Sequence, residues 1–264
     1  MFDFMYELQD WSLFIVCILL VCLVSTLAAT SMALLRLVWP NRHKASMVNT
    51  MLSGILLPTG LVIAFVASDV WQQESKGRTA VEQEAIAVAD ILGIAQHLPA
   101  ELREQVVGLT DDYVRDIVEQ EWPLMALGQA SQRAESLLDA LEQTAIQVDV
   151  IAEAAGPERI GLRQAAKDLR WYTRQAESAR NQRLLVANSR VVMTKWSAVM
   201  VLLLVAACVI CELHANQRRA MVVALALFSL GFGATLYLIA SYDRPFSGAT
   251  IIEPKSMTLM LMRG

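Results

Sequence analysis

A chain of 264 residues of which 55% are hydrophobic, with a mean hydropathy of +0.43, is too apolar for an ordinary soluble domain, where about 45–50% is usual. The net charge of -4 and the lack of a long basic run give no footing for nucleic acid. The four cysteines, Cys17, Cys22, Cys208 and Cys211, all fall inside apolar runs and so build no disulfide framework.

Residues 1–10 form a short acidic tail carrying Asp3, Glu7 and Asp10. No charge then occurs from Trp11 to Leu35, or from Ala45 to Ser68. Each run exceeds the roughly 20 apolar residues needed to cross a bilayer core. The first run has no basic residues before it and is too long for a signal-peptide core, so it is expected to stay attached. Residues 11–71 are therefore expected to hold transmembrane helices 1 and 2. Trp11, Trp39 and Trp71 lie at span ends, where indole rings favour the interface.

Within the second span, Gly54, Pro58, Thr59 and Gly60 interrupt the apolar run, and Phe65 follows. Proline frees a backbone carbonyl, and glycine permits a bend or a close approach. These five residues are candidates for lining or gating a pore, with tight helix packing as the equal alternative.

Residues 72–190 are expected to form a helical extramembrane domain. Its apolar positions recur at helical spacing: Val81, Ala85, Val88, Ala89 and Leu92; Val106, Leu109, Tyr113 and Ile117; Leu137, Leu138, Leu141, Ala145 and Val148; Leu162, Ala165, Leu169, Tyr172 and Ala176. Four such stripes call for a four-helix assembly. Breaks fall at Leu98-Pro99, Gly128 and Gly156-Pro157. Gly77 only weakens the join to the second span, and nothing breaks the join to the third, so both are expected to run on as continuous helices. Glu121-Trp122 reads as a structural pair, with tryptophan in the core and glutamate at the surface.

Residues 191–242 hold transmembrane helices 3 and 4: Trp196–Cys211, extended back to Val191 with Lys195 at the interface, and Ala220–Tyr242. Cys208 and Cys211 have C-x-x-C spacing, but inside an apolar span they read as small buried thiols. Glu212 and Asp69, near span ends, read as simply hydrated. Ser229, Gly231, Gly233 and Thr235 read as a helix contact. Residues 243–264 form a C-terminal tail. It opens with Asp243, Pro245, Phe246 and Gly248, read as a helix stop with the phenylalanine anchored at the interface. No nucleophile–base pattern or phosphate loop is present, so neither enzyme activity nor a metal or other cofactor is expected.

The expected fold is thus an all-α membrane protein: four transmembrane helices in two pairs, with a helical extramembrane domain inserted between them. Arg36, Arg42 and Lys44 in the first turn, and Arg218 and Arg219 in the second, place both turns in the cytoplasm by the positive-inside rule. The middle domain and both termini then lie on the outer (periplasmic) side of a bacterial inner membrane. Arg180, Arg183, Arg190 and Lys195 pull the other way.

Several motifs, in order, resemble the bestrophin-like family of membrane proteins, whose defining domain has no assigned function. They are His43 opening the second span; Gly54, then Ala64-Phe65-Val66 before Trp71; and Val81, Glu84 and Ala85. Tyr113 follows, with Glu121, Trp122, Met125, Gly128 and Ser131; then Arg180, Arg183 and Leu184; and finally Asp243, Pro245, Phe246 and Gly248. Pro58-Thr59 departs from the family's more uniformly apolar span. The resemblance implies a link to bestrophins, which are oligomeric ion channels with their domain and termini in the cytoplasm. No acidic calcium clasp or aromatic neck motif is present to be carried over. The expected function is an oligomeric ion channel or pore in a lipid bilayer, a homo-oligomer whose partners are inorganic ions. The alternative is a non-conducting membrane scaffold or sensor whose helical domain binds a partner protein.

Overall fold

The computed structural model describes residues 10–38, 45–154, 160–246 and 251–262. Within them the chain is helical: α1 (Asp10–Val38), α2 (Ala45–Ala95), α3 (Ala100–Asp116), a π-helical turn (Ile117–Glu121), α4 (Trp122–Ala126), α5 (Gln132–Ala154), α6 (Ile160–Asn188), α7 (Met193–Leu213), α8 (Arg218–Tyr242) and α9 (Lys255–Leu261). Four stretches are long and apolar enough to span a bilayer: Trp11–Val38, Ser53–Ala95, Met193–Leu213 and Arg218–Tyr242. The second continues well past the roughly 20 residues a bilayer needs. The chain divides into two compact units. One comprises residues 1–72, 190–244 and 248–250, the other residues 73–189, 245–247 and 251–264.

In the first unit, α1 buries Leu13, Cys17, Val21, Ser25 and Ala28, mostly four residues apart, which puts them on one face. α8 meets that face with Phe228, Ser229, Leu236 and Ile239. Lipid tails are as apolar as leucine, so burial does not drive this association, and close approach must. Gly233 supplies it: a Cβ there would lie 2.8 Å from the Ile18 Cα. One turn away, Ser25 and Ser229 hydroxyls share a hydrogen bond of 2.9 Å. The expected small-residue contact is therefore Ser229 and Gly233; Gly231 has nothing within 4 Å. Hydroxyls without such a partner bond back to their own helix, as Thr26 does to the Leu23 carbonyl and Thr30 to that of Leu27.

Two expectations about span ends are corrected. Glu212 is not simply hydrated: Arg36 donates to it at 3.0 Å and to the Cys211 carbonyl at 2.8 Å, closing the ends of α1 and α7 together. Asp69 is likewise held by Lys195 at 2.5 Å. The chain also breaks between α6 and α7, where continuity was expected. Asp243 accepts a hydrogen bond from the Val191 N–H at 2.7 Å, serving a backbone donor that the interrupted helix leaves without a helical partner.

In the second unit, the later half of α2 packs with α3, α5 and α6 around one core that includes Val81, Val88, Ile117, Leu141, Val148 and Leu169. Ala89, expected in this core, is exposed. The expected break at Gly128 is a Schellman stop: Gln129 N–H bonds to the Leu124 carbonyl and Gly128 N–H to that of Met125, with glycine at φ 72. Ser131 then caps α5, its hydroxyl accepting the Ala134 N–H at 3.2 Å.

The C-terminal segment is part of this core. Phe246 is buried and meets Trp122 edge-to-face at 5.7 Å, instead of anchoring at a membrane interface. The Trp122 indole N–H donates to the Ile252 carbonyl at 3.2 Å, and Met257 is fully buried. Gly77 makes room for this segment. A Cβ there would meet Val186, Ile252 and Phe246 at 3.1–3.3 Å, so the glycine is a seat and α2 runs through it unbroken.

The close approach at Gly233 predicts that Gly233→Ala costs about 1–3 kcal/mol through overpacking, read as a lower thermal midpoint in nanodiscs. Gly231→Ala is expected to leave the midpoint unchanged.

Candidate functional site

Two features concentrate the chemistry. The first is the uncovered face of α2. Leu57, Leu61 and Phe65 are 78%, 55% and 66% exposed, at spacings of four residues. Gly54, Pro58 and Gly60 are exposed too, and both glycines have open space around them. Thr59 points the opposite way: it is fully buried, and its hydroxyl donates to the Ile55 carbonyl at 2.7 Å. Of the five pore candidates, then, Gly54, Pro58, Gly60 and Phe65 lie on exposed surface of α2, while Thr59 faces the unit's interior. By helical register the Phe65 face continues through Ser68 and Asp69, the latter half-buried and paired with Lys195, and then Gln72, Lys76, Thr79 and Gln83, which are exposed.

The second feature is a buried ionic cluster in the helical unit. Glu84 comes from α2, Tyr113 and Asp116 from α3, Glu121 from the π-turn, Ser131 from the cap of α5, and Arg180 and Arg183 from α6. Arg183 Nε and Nη2 donate to Glu84 at 2.6 and 2.9 Å, and Nη2 also reaches Glu121 at 2.8 Å. The remaining nitrogen contacts the Met125 sulfur. The guanidinium lies 5.0 Å from the Trp122 ring centroid, within cation–π range. Arg180 Nη2 donates to Glu121 at 2.5 Å and to the Ser131 carbonyl at 2.8 Å. The Tyr113 hydroxyl donates to Glu84 at 2.6 Å, and the Ser131 N–H to Glu121 at 3.0 Å. The Ser131 hydroxyl donates to Asp116, whose third-cation neighbour, Arg133, reaches in from the exposed rim at 3.9 Å.

The π-turn explains why Glu121 is inside when its sequence position reads as surface. Pro123 has no N–H, and its ring excludes the carbonyl four residues back. The helix widens just before it, and the Trp122 N–H bonds to Ile117, five residues back. The extra residue in the turn carries Glu121 round to the core, with no exposed surface, alongside Trp122.

The electrostatics favour the charged forms of Glu121, Arg180 and Arg183. Burial alone would raise the Glu121 carboxyl, but hydrogen bonds and charge from Arg180 and Arg183 outweigh it and hold the pKa below the ordinary value. Burial, then the charge of Glu84, pushes the Tyr113 phenol well up, so it remains a donor. Burial would lower Arg183, but the Glu84 charge and hydrogen bonds overcome it and the pKa is raised.

Of the other motif residues, Glu84, Tyr113, Glu121, Trp122 and Arg183 are brought together in this cluster, with Phe246 packed on Trp122. Pro245 accepts the Ile252 N–H at 2.8 Å, and Asp243 serves Val191 as described. His43 and Gly248 lie outside the described residues. Asp116 was not singled out from the sequence. Its signal is the one Glu84, Arg180 and Arg183 also carry, a charge set on the buried face of an amphipathic helix. Among the described residues, no group of His, Cys, Asp or Glu is arranged to hold a metal.

Removing Arg183 leaves the buried Glu84 carboxylate with only the Tyr113 hydroxyl, while Glu121 keeps Arg180. Arg183→Met is expected to cost about 3–5 kcal/mol, whereas exposed Arg174→Ala, which loses its 3.0 Å bridge to Glu142, costs at most about 1 kcal/mol. Denaturant unfolding of the full chain, followed by tryptophan fluorescence, compares the two.

The fold is shared with solved bacterial proteins. A variant of a bacterial bestrophin homologue from Klebsiella pneumoniae aligns with a TM-score of 0.67 at 14% identity, over 94% of this chain and 96% of that one. A second variant of that homologue aligns at 0.67 and 14%, over 96% and 95%. A crystal structure described only as a membrane protein gives 0.67 at 14%, over 95% and 96%. No curated protein matches the sequence. The Bestrophin-like domain model matches residues 21–257, nearly the whole of the region that carries the spans and the ionic cluster, and the chain therefore belongs to the bestrophin-like family.

Proposed function

We propose that the chain is one subunit of a homo-oligomeric ion channel whose pathway is lined by α2. The observation that carries this reading is the uncovered α2 face. It begins with Leu57, Leu61 and Phe65 and continues with the hydroxyl and amide side chains of Ser68, Gln72, Thr79 and Gln83. Within the span, Ser68 puts a hydroxyl on this face, which a water-filled path accommodates better than lipid does, while Gln72, Thr79 and Gln83 lie at or beyond the span's end, where polar side chains meet water in any case. Repeated around a symmetry axis, Leu57, Leu61 and Phe65 form stacked apolar rings, a constriction that can gate by dewetting. A single subunit has no room for such a path, so the reading requires a closed ring. Membership of the bestrophin-like family and the shared fold support it.

In the same reading, Arg36, Arg218 and Arg219 mark the cytoplasmic turns, with the helical unit on the outer side of a bacterial inner membrane. A membrane-impermeant thiol reagent added to intact cells is then expected to label Gln143→Cys. Protection from it, with labelling after lysis, reverses the orientation.

Planar-bilayer recording of the purified protein is expected to give discrete currents, and Phe65→Ala to enlarge or prolong them by widening the apolar rings. Silence across voltage, ion and pH, from a protein shown to be assembled, would refute the channel.

A further inference from the structure

In the helical unit, α2 and α5 each tie to both of the other long helices. Glu84 of α2 accepts from Tyr113 of α3 and from Arg183 of α6. On α5, Thr144 accepts from Gln105 of α3 at 3.2 Å, and Glu142 pairs with Arg170 and Arg174 of α6. α3 and α6 are therefore opposite flanks of the unit, and the flanks carry opposite charge. On α6, Lys167, Arg170, Trp171 and Arg174 are three and four residues apart and share one face. All four are exposed, Trp171 by 60%. On α3, Glu101 and Glu104 are exposed, and a Cβ at Gly108, one turn on, would meet nothing within 4 Å. Among the described residues, neither these glutamates nor Lys167 has an ion-pair partner. The flanks also match in height. Glu142 and Thr144 lie two residues apart, about 3 Å along α5, so their partners Arg174 and Gln105 stand on one level of the unit.

We infer that the α6 flank of one copy docks on the α3 flank of the next, with Lys167, Arg170 and Arg174 facing Glu101 and Glu104 and with Trp171 covering the open surface around Gly108. The inference rests on the channel reading, which supplies the ring. A ring with α2 toward its axis turns α5 outward and leaves α3 and α6 as the faces that meet neighbours. Rotation about an axis along the helices preserves height, so only groups on one level can meet, as these do. The contact is head-to-tail, which closes into a ring, whereas a self-complementary contact stops at a dimer. Exposed ion pairs each contribute little. Their part is to set the register and to keep like flanks apart, while tryptophan and arginine are the side chains that most often carry interface energy.

The test is carbodiimide coupling of the full-length protein in nanodiscs, since this reagent joins a lysine to a carboxylate only where the two touch. Lys167 is the one lysine of α6, so its bonds are unambiguous. Wild type is expected to give a ladder of bands beyond the dimer on a denaturing gel, with Lys167 joined to Glu101 or Glu104 in the peptide mass spectra. Mixing light and heavy-isotope subunits is expected to place that bond between copies. Glu101→Gln combined with Glu104→Gln is expected to abolish the Lys167 bond. All three side chains are exposed, so the variant should fold as wild type does. An assembled ring in which Lys167 stays unlinked, links only within its own copy, or links copies no further than dimers at full coupling overturns the interface and leaves the channel standing. A chain that native mass spectrometry finds monomeric overturns the channel reading itself.

Discussion

Arg183 sits where the helical unit converges. Its guanidinium holds Glu84 of α2 and Glu121 of the π-turn, touches Met125 and lies against Trp122. No surface of it reaches solvent. Burying such groups costs several kcal/mol per ion before any bond is made. The cluster is tolerable because the bonds form almost completely: both Glu84 oxygens and both Glu121 oxygens accept hydrogen bonds. An apolar core of similar volume can match such a cluster for stability, but not for uniqueness. Apolar contacts survive small slips between helices, whereas a two-pronged arginine on two carboxylates admits few alternatives.

That constraint reaches the C-terminal segment as well. Trp122 is fixed on one side by Arg183 and presents its edge to Phe246 and its N–H to Ile252. Gly77 gives that segment its seat on α2. The residues after the last span are therefore tied into the same core as Glu84, seven residues further along α2. Any change in the π-turn is felt by the whole set, since Pro123 determines where Glu121 and Trp122 point.

The membrane unit is held by different physics. There is little gain from excluding water between helices that would otherwise touch lipid, so backbone approach at Gly233 and the Ser25–Ser229 bond replace hydrophobic burial. Charge is confined to the ends, where Arg36 with Glu212 and Lys195 with Asp69 satisfy each other beside the interface. With α1, α7 and α8 so packed, the α2 face bearing Leu57, Leu61 and Phe65 stays exposed, as does the α1 face bearing Leu19, Leu23 and Leu27.

The sequence by itself determined the spans, their pairing and the helical insert, because hydrocarbon demands long uncharged runs and helices bury one face at a fixed period. The order of motifs also carried the family. Local chemistry was legible where it acts on near neighbours, as at Gly128, a helix stop closed by its own last turn. Tertiary structure alone decided what depends on partners far along the chain. Glu121 reads as surface until a proline two residues later widens the turn and Arg180, 59 residues away, neutralises it. Phe246 reads as an interface anchor until Trp122 claims it. Glu212 and Asp69 read as hydrated until Arg36 and Lys195 arrive from other helices. A stripe of apolar residues announces that it will be buried, whereas a charge does not announce its counter-ion, because periodicity records a face and never the identity of what meets it.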